Sequence, residues 1–214
     1  MLDSLGGKTA LVTGAGQGIG RAIAVEMARR GASAVAVADR NAQTAVLTAE
    51  SVRAAGAKSE EVWDAVYEVN LKAAWPTTKF AAPYLRRPPR GPAIVNAASV
   101  SGLVGFPDSP AYGVTKAGVI HLTKVTAVDL VPVRCNCFCP GVIDTPLARG
   151  HFAAGEDRDA RERELTAPQL VDRLGRPEEV ARPACFLASD SAAFITGAAY
   201  VIDGGALAWR GVKG

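Results

Sequence analysis

The stretch TGAGQGIG at residues 13–20 follows a short apolar strand at residues 8–13 and opens a helix that we expect to end at Gly31. Glycines at this point let the backbone turn tightly and approach a pyrophosphate, whose charge then meets the amides and the dipole of the helix N-terminus. This order of strand, loop and helix predicts an α/β fold built on a parallel sheet. We expect the ligand that carries this pyrophosphate to contact Gly14, Gln17, Gly18, Ile19 and Gly20.

A second predicted strand, at residues 34–38, ends next to Asp39, nineteen residues beyond Gly20. The dinucleotide-binding pattern places a carboxylate at about this distance, where it accepts hydrogen bonds from the adenosine ribose. The same carboxylate would repel the 2′-phosphate of NADP(H), so Asp39 favours NAD(H). Arg40 leaves NADP(H) open, because an arginine beside the ribose can accommodate a phosphate.

Tyr112 and Lys116 stand four residues apart in a helix that we expect at residues 110–131, after Ser109 and before Pro132. Residues at this spacing project from one face of a helix, so the phenol and the ammonium can interact. A phenol titrates at about pH 10 and is a poor acid or base at neutral pH, whereas a nearby cation favours the phenolate. Such a pair on its own is more often a solvated helix face, so a proton-transfer role depends on the other motifs.

Ser99 follows the apolar run at residues 93–98, which predicts a buried parallel strand. Its hydroxyl would then lie at the carboxyl edge of the sheet, where ligands bind in open α/β folds. Ser99, Tyr112 and Lys116 therefore form the candidate catalytic group.

The composition predicts one domain over residues 1–214, since 214 residues with 49% hydrophobic content suffice for one buried core and are few for two. The net charge is +3 and the basic residues are scattered, which argues against a nucleic-acid surface. No charged N-terminal segment precedes a long apolar one, and no apolar run reaches membrane-spanning length. We expect a soluble, cytoplasmic protein with a small-molecule ligand and no membrane partner.

Three of the four cysteines alternate along one predicted strand, at positions 135, 137 and 139, so their side chains should share one face. Metal sites usually take ligands from turns that wrap the ion, and neither His121 nor His151 is near in sequence. We therefore interpret these cysteines as buried small residues and expect reduced thiols and no bound metal.

The glycine loop at residues 13–20, together with Ser99, Tyr112 and Lys116, resembles the motifs of the short-chain dehydrogenase/reductase family. Further matching stretches extend over nearly the whole chain: VNLK at 69–72, PGVIDTP at 140–146, FITG at 194–197 and VIDGG at 201–205. The resemblance implies a single-domain Rossmann fold, an α/β doubly wound parallel sheet with helices on both faces.

The resemblance also implies roles for individual residues. Tyr112 would be the general acid/base, Lys116 would favour its phenolate and hold the nicotinamide ribose, and Ser99 would orient the substrate oxygen. Asn70 would hold a water in the proton relay. The nicotinamide end would be lined by Pro140, Gly141, Val142 and Thr145. The implied reaction is hydride transfer between a nicotinamide and a small-molecule secondary alcohol or ketone.

Two other functions stay open. An NADPH-dependent reductase of carrier-linked 3-oxoacyl groups has similar C-terminal motifs, although Asp39 disfavours it. From another class, a catalytically inactive, truncated, oligomerising remnant would keep the site residues without holding the cofactor. For the active enzyme the resemblance implies a homotetramer, in which helices at residues 60–86 and 110–131 pair with a partner's copies and the segment around Trp209 meets another subunit.

The chain departs from the family pattern between Lys58 and Ser59, where about forty residues with the third and fourth strands have no counterpart. The fourth strand would lie between the first and the fifth, so its loss leaves these neighbours about 9.6 Å apart, twice the ladder spacing, and divides the sheet. We favour a printed sequence that omits these residues over a true deletion. Omission predicts a Cα separation above roughly 15 Å between Lys58 and Ser59, against about 3.80 Å for bonded neighbours.

Residues 147–174 change in character, with glycines followed by a mixed-charge run at 156–164. We interpret the segment as a helical flap that closes over the substrate and excludes water, with His151 and Phe152 as possible contacts. A solvated surface helix without a gating role is the alternative.

Overall fold

The computed structural model describes residues 4–14, 18–38, 59–86, 91–107, 109–153 and 158–208. The strands are β1 (Thr9–Thr13), β2 (Ala34–Ala38), β3 (Ala93–Ala97), β4 (Arg134–Pro140) and β5 (Ala199–Ile202). The α-helices are α1 (Gly18–Arg29), α2 (Ser59–Tyr67), α3 (Ala74–Leu85), α4 (Pro110–Asp129), α5 (Pro146–Ala153), α6 (Arg158–Thr166) and α7 (Pro177–Ala188). Among these helices, none combines the length and the apolar character needed to cross a bilayer.

Proline and glycine residues set the ends of two predicted helices. α4 begins at Pro110, whose missing N–H would be unpaired in the first turn anyway, and it ends at Asp129, shortly before Pro132. α1 ends at Arg29, and Gly31 then turns the chain with a φ of 83°. Both helices agree with the sequence prediction to within two residues.

The helix predicted over residues 60–86 is interrupted. α2 is followed by a π turn at Glu68–Lys72, in which the N–H of Ala73 donates to the Glu68 carbonyl at 3.0 Å, and α3 follows. Pro76, in the first turn of α3, has no N–H for the carbonyl of Lys72, and its ring crowds that carbonyl in a regular helix. The π turn accommodates this constraint.

The five strands of the described residues form two parallel sheets. β1 pairs with β2, while β4 lies between β3 and β5. The parallel pairing and the surrounding helices confirm the predicted α/β class. The division into two sheets is the one expected for a chain without the strand between β1 and β3. The predicted distance between Lys58 and Ser59 stays a prediction, because Lys58 lies outside the described residues.

Apolar helix packing joins the two sheets. α1 covers β1 and β2 and packs along α7, which covers β3 and β4. One buried cluster runs through these layers and includes Val12, Ile23, Val180 and Phe138. Lys8 adds a polar bridge, since its Nζ donates to the Gly91 carbonyl at 3.0 Å and to Asp190 Oδ1 at 2.9 Å.

One face of β1 is exposed. Val12 is 7% exposed and joins the cluster, whereas Leu11, on the opposite face of the strand, is 57% exposed. Strands of a doubly wound sheet are normally covered by helices on both faces. The helices of the described residues therefore leave this face of β1 exposed at Leu11.

The cysteines of β4 face α4. Cys137 and Cys139 pack with Val119 of α4, on the side of the sheet opposite α7. All four cysteines are buried free thiols, which confirms the predicted burial. Burial raises the pKa of Cys135 and of Cys185 to about 12, so both thiols are protonated at neutral pH and are poor metal ligands.

Thr126 of α4 carries an unpaired buried hydroxyl. The residue is 1% exposed, and within the described part of the chain its Oγ1 has no conventional hydrogen-bond partner. The nearby Cys135 thiol is only a weak donor and acceptor. We therefore expect Thr126→Val to raise the free energy of unfolding by about 1 kcal/mol, measured by urea denaturation.

Thr123→Val is the matched control for this change. The Thr123 hydroxyl donates to the Val119 carbonyl at 2.8 Å and accepts from Asn96 Nδ2 at 3.0 Å. Its removal should lower the free energy of unfolding by about 1–3 kcal/mol, because the Asn96 amide loses its oxygen acceptor and keeps only the weak sulfur acceptor of Cys135 at 3.7 Å. If the free energy of unfolding changed in the same direction in Thr126→Val and Thr123→Val, the proposed difference in hydrogen bonding between the two hydroxyls would be wrong.

Candidate active site

Ser99 lies just beyond the carboxyl end of β3 and begins a 3₁₀ turn at Val100–Gly102. It is 7% exposed, and its Oγ accepts a hydrogen bond from the backbone N–H of Ser101 at 3.2 Å. Because this bond is accepted rather than donated, the hydroxyl proton stays available for a substrate oxygen.

The turn at Val100–Gly102 lies directly on α4. A Cβ at Gly102 would stand 2.6 Å from the carbonyl carbon of Lys116, so only glycine fits there. A Cβ at Gly113 would lie 3.1 Å from the Ser101 carbonyl oxygen. Two glycines, one on each side of the contact, thus bring the end of β3 against the first turns of α4.

Tyr112 and Lys116 lie together on α4. The Nζ of Lys116 is 5.5 Å from the centroid of the Tyr112 ring and donates to the carbonyl of Ala97 at 3.0 Å. Ala97 ends β3, so this bond holds the cation between the tyrosine and the strand that leads to Ser99. The structure therefore brings the predicted serine, tyrosine and lysine to one place.

Asn70 reaches α4 from the π turn. Its Nδ2 donates to Thr115 Oγ1 at 3.3 Å. The neighbouring Leu71 packs so closely on Gly118 that a Cβ there would lie 2.6 Å from the leucine side chain. Asn70 therefore contacts, from the π turn, the helix that carries Tyr112 and Lys116, and Ser99 lies at the end of β3 beside that helix.

The thiol of Cys139 borders this group. It interacts with the backbone of Ser99 and with the charge of Lys116. The Cys137 thiol and burial both raise the pKa of Cys139 far above its usual range. Cys139 is thus a neutral neighbour of the site and a poor nucleophile.

The glycines at the two described ends of the glycine loop, Gly14 and Gly18, have a backbone that favours glycine. Gly14 and Gly18 have φ values of 65° and 54°, in the region that favours glycine. A Cβ at Gly18 would lie 3.1 Å from the methyl group of Thr145, so the loop closely approaches the segment after β4. Ile19 and Gly20 lie in the first turn of α1. The predicted contacts Gln17, Asp39 and Arg40 lie outside the described residues.

The segment after β4 is held on two sides. The N–H of Gly141 donates to the Ile202 carbonyl at 3.0 Å, and the N–H of Val142 donates to Gln169 Oε1 at 3.0 Å. A Cβ at Gly141 would stand 2.9 Å from the Cα of Asp203, which makes glycine necessary there. The predicted nicotinamide end, from Pro140 onward, is therefore a fixed loop.

Two family descriptions match the chain. Residues 8–59 match "short chain dehydrogenase", and residues 54–206 match "Enoyl-(Acyl carrier protein) reductase". The chain belongs to the short-chain dehydrogenase/reductase family. As a member, it is an NAD(P)-dependent oxidoreductase that acts on CH–OH or C=O groups.

Alignments with relatives span most of the length of this oxidoreductase. A 2-keto-3-deoxy-L-fuconate dehydrogenase of Xanthomonas campestris is 36% identical over 242 residues, which covers 94% of this chain and 80% of the relative. A 3-oxoacyl-[acyl-carrier-protein] reductase of Thermotoga maritima is 33% identical over 249 residues, 94% of this chain and 98% of the relative. Ligand-free aldohexose dehydrogenase of Thermoplasma acidophilum superposes with a TM-score of 0.84 at 30% identity, over 98% of both chains.

These alignments support a missing internal segment. The alignment with the Thermotoga reductase spans 249 positions, whereas the dehydrogenase has 214 residues, so at least 35 positions of the relative have no counterpart. The two family matches meet at residues 54–59. This is the place where the sequence pattern lacks the third and fourth strands.

Sequence reasoning missed Gln169 of the dehydrogenase. The residue is 3% exposed, and besides accepting from Val142 its Nε2 donates to the Arg173 carbonyl at 2.7 Å. It thereby ties the end of the predicted flap to the loop after β4. No local pattern marks this role, because Val142 is 27 residues away in the chain.

Sequence reasoning also missed Thr115. Its Oγ1 donates to the carbonyl of Tyr112 at 2.8 Å and accepts from Asn70, and the residue is 1% exposed. The sequence shows that Thr115 lies between Tyr112 and Lys116, and this position could have marked it as a candidate. Its contact with Asn70, however, depends on how the π turn packs against α4.

An ion pair supports the segment that carries Gln169. The guanidinium of Arg173 donates to both carboxylate oxygens of Glu179 at 2.8 Å, and the N–H of Arg176 donates to Glu179 Oε2 at 2.8 Å. The Arg173 bonds, with help from Arg176, lower the pKa of Glu179 to about 2.

We expect Glu179→Gln to reveal a pH-dependent contribution to stability. A carboxylate with a lowered pKa stabilises the fold above its unfolded pKa of about 4.3, and this contribution is lost as the pH falls towards about 2. Because both partners are partly exposed, the variant should be less stable by at most about 1 kcal/mol at pH 7. Urea denaturation at pH 7, 5, 4 and 3 measures the difference, which should shrink below about pH 4.5. A difference that is the same at every pH would exclude the ion pair as its cause.

Proposed function

We propose that the protein is an NAD-dependent dehydrogenase that interconverts a small secondary alcohol and its ketone, with Tyr112 as general acid/base. The observation that carries the proposal is the position of Lys116, whose ammonium lies 5.5 Å from the centroid of the Tyr112 ring and is bonded to the end of β3. A lysine held beside the phenol in this way is the arrangement expected of a tyrosine that exchanges a proton with the substrate oxygen.

The residues of the glycine loop fit a dinucleotide. Gly14 and Gly18 have positive φ angles, and the N-terminus of α1 offers backbone amides to an anion. We assign the pyrophosphate to this loop and the nicotinamide ribose to Tyr112 and Lys116. The nicotinamide end is assigned to Pro140, Gly141, Val142 and Thr145. When bound, the nicotinamide supplies or accepts the hydride.

Each of the proposed catalytic side chains has a separate role in proton transfer. During alcohol oxidation, the phenolate of Tyr112 takes the hydroxyl proton, and during ketone reduction the phenol returns it. Ser99 donates its free hydroxyl proton to the substrate oxygen and thereby fixes the distance to Tyr112. Asn70 holds a water beside α4, through which the proton exchanges with solvent.

The surface of α3 and α4 supports the proposal of a homotetramer. Phe80 and Tyr84 of α3 are each 72% exposed, and Val128 of α4 is 75% exposed. Large apolar side chains on neighbouring helices are typical of a subunit interface. Phe194, fully exposed near the C-terminus, fits a second interface. The flap at 147–174 and the cytoplasmic location stay predictions.

Two alternative functions stay open. The Thermotoga relative is named as a 3-oxoacyl-[acyl-carrier-protein] reductase, and a solved neighbour, a putative 2-deoxy-D-gluconate 3-dehydrogenase from Agrobacterium tumefaciens, contains NADP. An NADPH-dependent reductase of carrier-linked 3-oxoacyl groups is therefore the second candidate. The other alternative, an inactive oligomerising remnant, would require that the division of the strands into two sheets prevents cofactor binding.

A titration with NADH and NADPH separates these candidates. We expect NADH to bind at least about tenfold more tightly, because Asp39 would repel the 2′-phosphate. Nucleotide fluorescence measures the dissociation constants of NADH and NADPH. We expect Asp39→Ser to bring these two constants closer together, because it removes the carboxylate. Tighter NADPH binding would favour the acyl-carrier reductase, and NADH binding at micromolar affinity or tighter would exclude the remnant.

Replacement of Tyr112 tests the mechanism. In a screen over secondary alcohols and sugars, we expect Tyr112→Phe to lower kcat by about 10²–10⁴-fold with NADH affinity retained, because the phenol hydroxyl carries the proton. Tyr200→Phe is the matched control, since Tyr200 lies on β5 and is 43% exposed, and its kcat should not change. Full activity of Tyr112→Phe would show that the mechanism is wrong.

A further inference from the structure

The side chain of Gln169 lies between two loops at the carboxyl ends of β4 and β5. A Cβ on Gly141, directly after β4, would lie 3.1 Å from Gln169 Oε1. A Cβ on Gly204, just after β5, would lie 3.6 Å from the Cβ of Gln169. β3, β4 and β5 are parallel, so these loops share one sheet edge with Ser99, which follows β3. Gln169, 3% exposed, is therefore a buried residue of the edge where ligands bind in open α/β folds.

The carboxamide of Gln169 uses both its acceptor and its donor. Its Oε1 accepts from the backbone N–H of Val142 at 3.0 Å, and its Nε2 donates to the backbone carbonyl of Arg173 at 2.7 Å. An N–H can only donate and a carbonyl can only accept, so these two partners fix the orientation of the carboxamide. At this buried position, a side chain without both functions would leave a backbone group unpaired.

Val142 differs from its neighbours in the loop after β4. The N–H of Gly141 donates to the Ile202 carbonyl at 3.0 Å, and the N–H of Asp144 donates to the Gly175 carbonyl at 2.8 Å. Both of these acceptors are backbone groups, whereas the acceptor for Val142 is a side chain. Of these three amides, Val142 is thus the one whose hydrogen bond a single substitution can remove.

Separate bonds hold the part of the loop that approaches the glycine loop. Thr145 follows Asp144, and its methyl group lies 3.1 Å from the position of a Cβ on Gly18. The Thr145 carbonyl accepts from the N–H of Arg149 at 2.9 Å, in the first turn of α5. Together with the bond of Asp144, this contact should keep Thr145 in place when the bond of Val142 is lost.

We propose that Gln169 is a positioning residue for the nicotinamide half of the cofactor. It holds Val142, and thereby the loop after β4, in the place where the nicotinamide is bound. This inference rests on the proposed assignment of the nicotinamide end to this loop. It predicts that Gln169 affects the binding of the nicotinamide and leaves the binding of the adenosine and the pyrophosphate unchanged.

Asn136 within β4 provides a matched control. Its Oδ1 accepts from the backbone N–H of Ala198 at 3.0 Å, and its Nδ2 donates to the backbone carbonyl of Ile195 at 2.8 Å. Asn136 is fully buried, so it shares burial and bonding pattern with Gln169. It lies four residues before Pro140, where the proposed nicotinamide end begins. The two carboxamides therefore differ in their distance along β4 from the proposed site.

The experiment compares Gln169→Met and Asn136→Leu with the wild type in the full chain. Methionine and leucine are close in size to the side chains they replace, and they remove both hydrogen bonds. Calorimetry measures the dissociation constants of NADH and of ADP-ribose, which contains the adenosine and the pyrophosphate but no nicotinamide. For Gln169→Met we expect the dissociation constant of NADH to rise about tenfold and that of ADP-ribose to change less than about twofold. Asn136→Leu should leave both constants unchanged.

Gln169→Glu tests whether the acceptor oxygen is the important group. A carboxylate keeps an oxygen for the N–H of Val142 but cannot donate to the carbonyl of Arg173. The dissociation constant of NADH in this variant should therefore lie between those of the wild type and Gln169→Met.

Several results would overturn the positioning role. These are an unchanged NADH affinity in Gln169→Met, equal weakening of NADH and ADP-ribose in that variant, equal weakening of NADH in Asn136→Leu, or a Gln169→Glu variant that binds NADH no better than Gln169→Met. Failure of the proposed function itself is recognised separately, by a wild-type chain that binds no dinucleotide or by full activity of Tyr112→Phe.

A measurement without cofactor covers the case of a chain that binds none. In ¹⁵N-labelled protein, the amide proton of Val142 should exchange with solvent at least about tenfold faster in Gln169→Met than in the wild type. Asn136→Leu should instead accelerate the exchange of the Ala198 amide and leave that of Val142 unchanged. Equal exchange of the Val142 amide in wild type and Gln169→Met would show that Gln169 does not hold the loop.

Discussion

The apolar contact between α1 and α7 holds the two sheets in one molecule. Among the described strands, no ladder bonds connect β1 to β3, so side-chain packing provides the connection. Val180, Ala181 and Ala184 of α7 are at most 1% exposed, and their small size allows α1 to approach closely. Such packing contributes about 25 cal/mol per Å² of buried apolar surface but imposes no register, unlike a hydrogen-bonded ladder.

This constraint matters because the proposed cofactor loop and the proposed catalytic group belong to different sheets. The glycine loop follows β1, whereas Ser99 follows β3 and the nicotinamide end follows β4. Hydride transfer requires these parts to be correctly placed relative to one another, and reacting atoms tolerate little misplacement. In the described residues, their relative position depends on helix packing, on the Lys8 bridge and on the approach of Thr145 to Gly18. A strand between β1 and β3 would add hydrogen bonds to this junction.

Local patterns predicted the residues whose neighbours are close in sequence. Tyr112 and Lys116 share a helix face because they are four residues apart, and Pro110 begins that helix. Other features arise from distant contacts. The π turn reflects Pro76 acting on a carbonyl four residues earlier, in a segment whose apolar pattern favours one continuous helix. Arg134 lies in a strand, where its charge suggests exposure, yet it is buried and donates to the carbonyls of Leu187 and Ser189 at the end of α7.

The sequence by itself determined the family and the α/β class, and it predicted the catalytic candidates and the place where the family pattern is interrupted, because each depends on residue type and spacing along the chain. Only the tertiary structure decided the bond from Lys116 to Ala97, the burial of Gln169 against Val142 and the link from Asn70 through Thr115 to Tyr112. These contacts join elements that are distant in sequence. The close approach of Gly102 to the backbone of Lys116, and of Gly118 to the side chain of Leu71, likewise becomes visible only when the elements have packed.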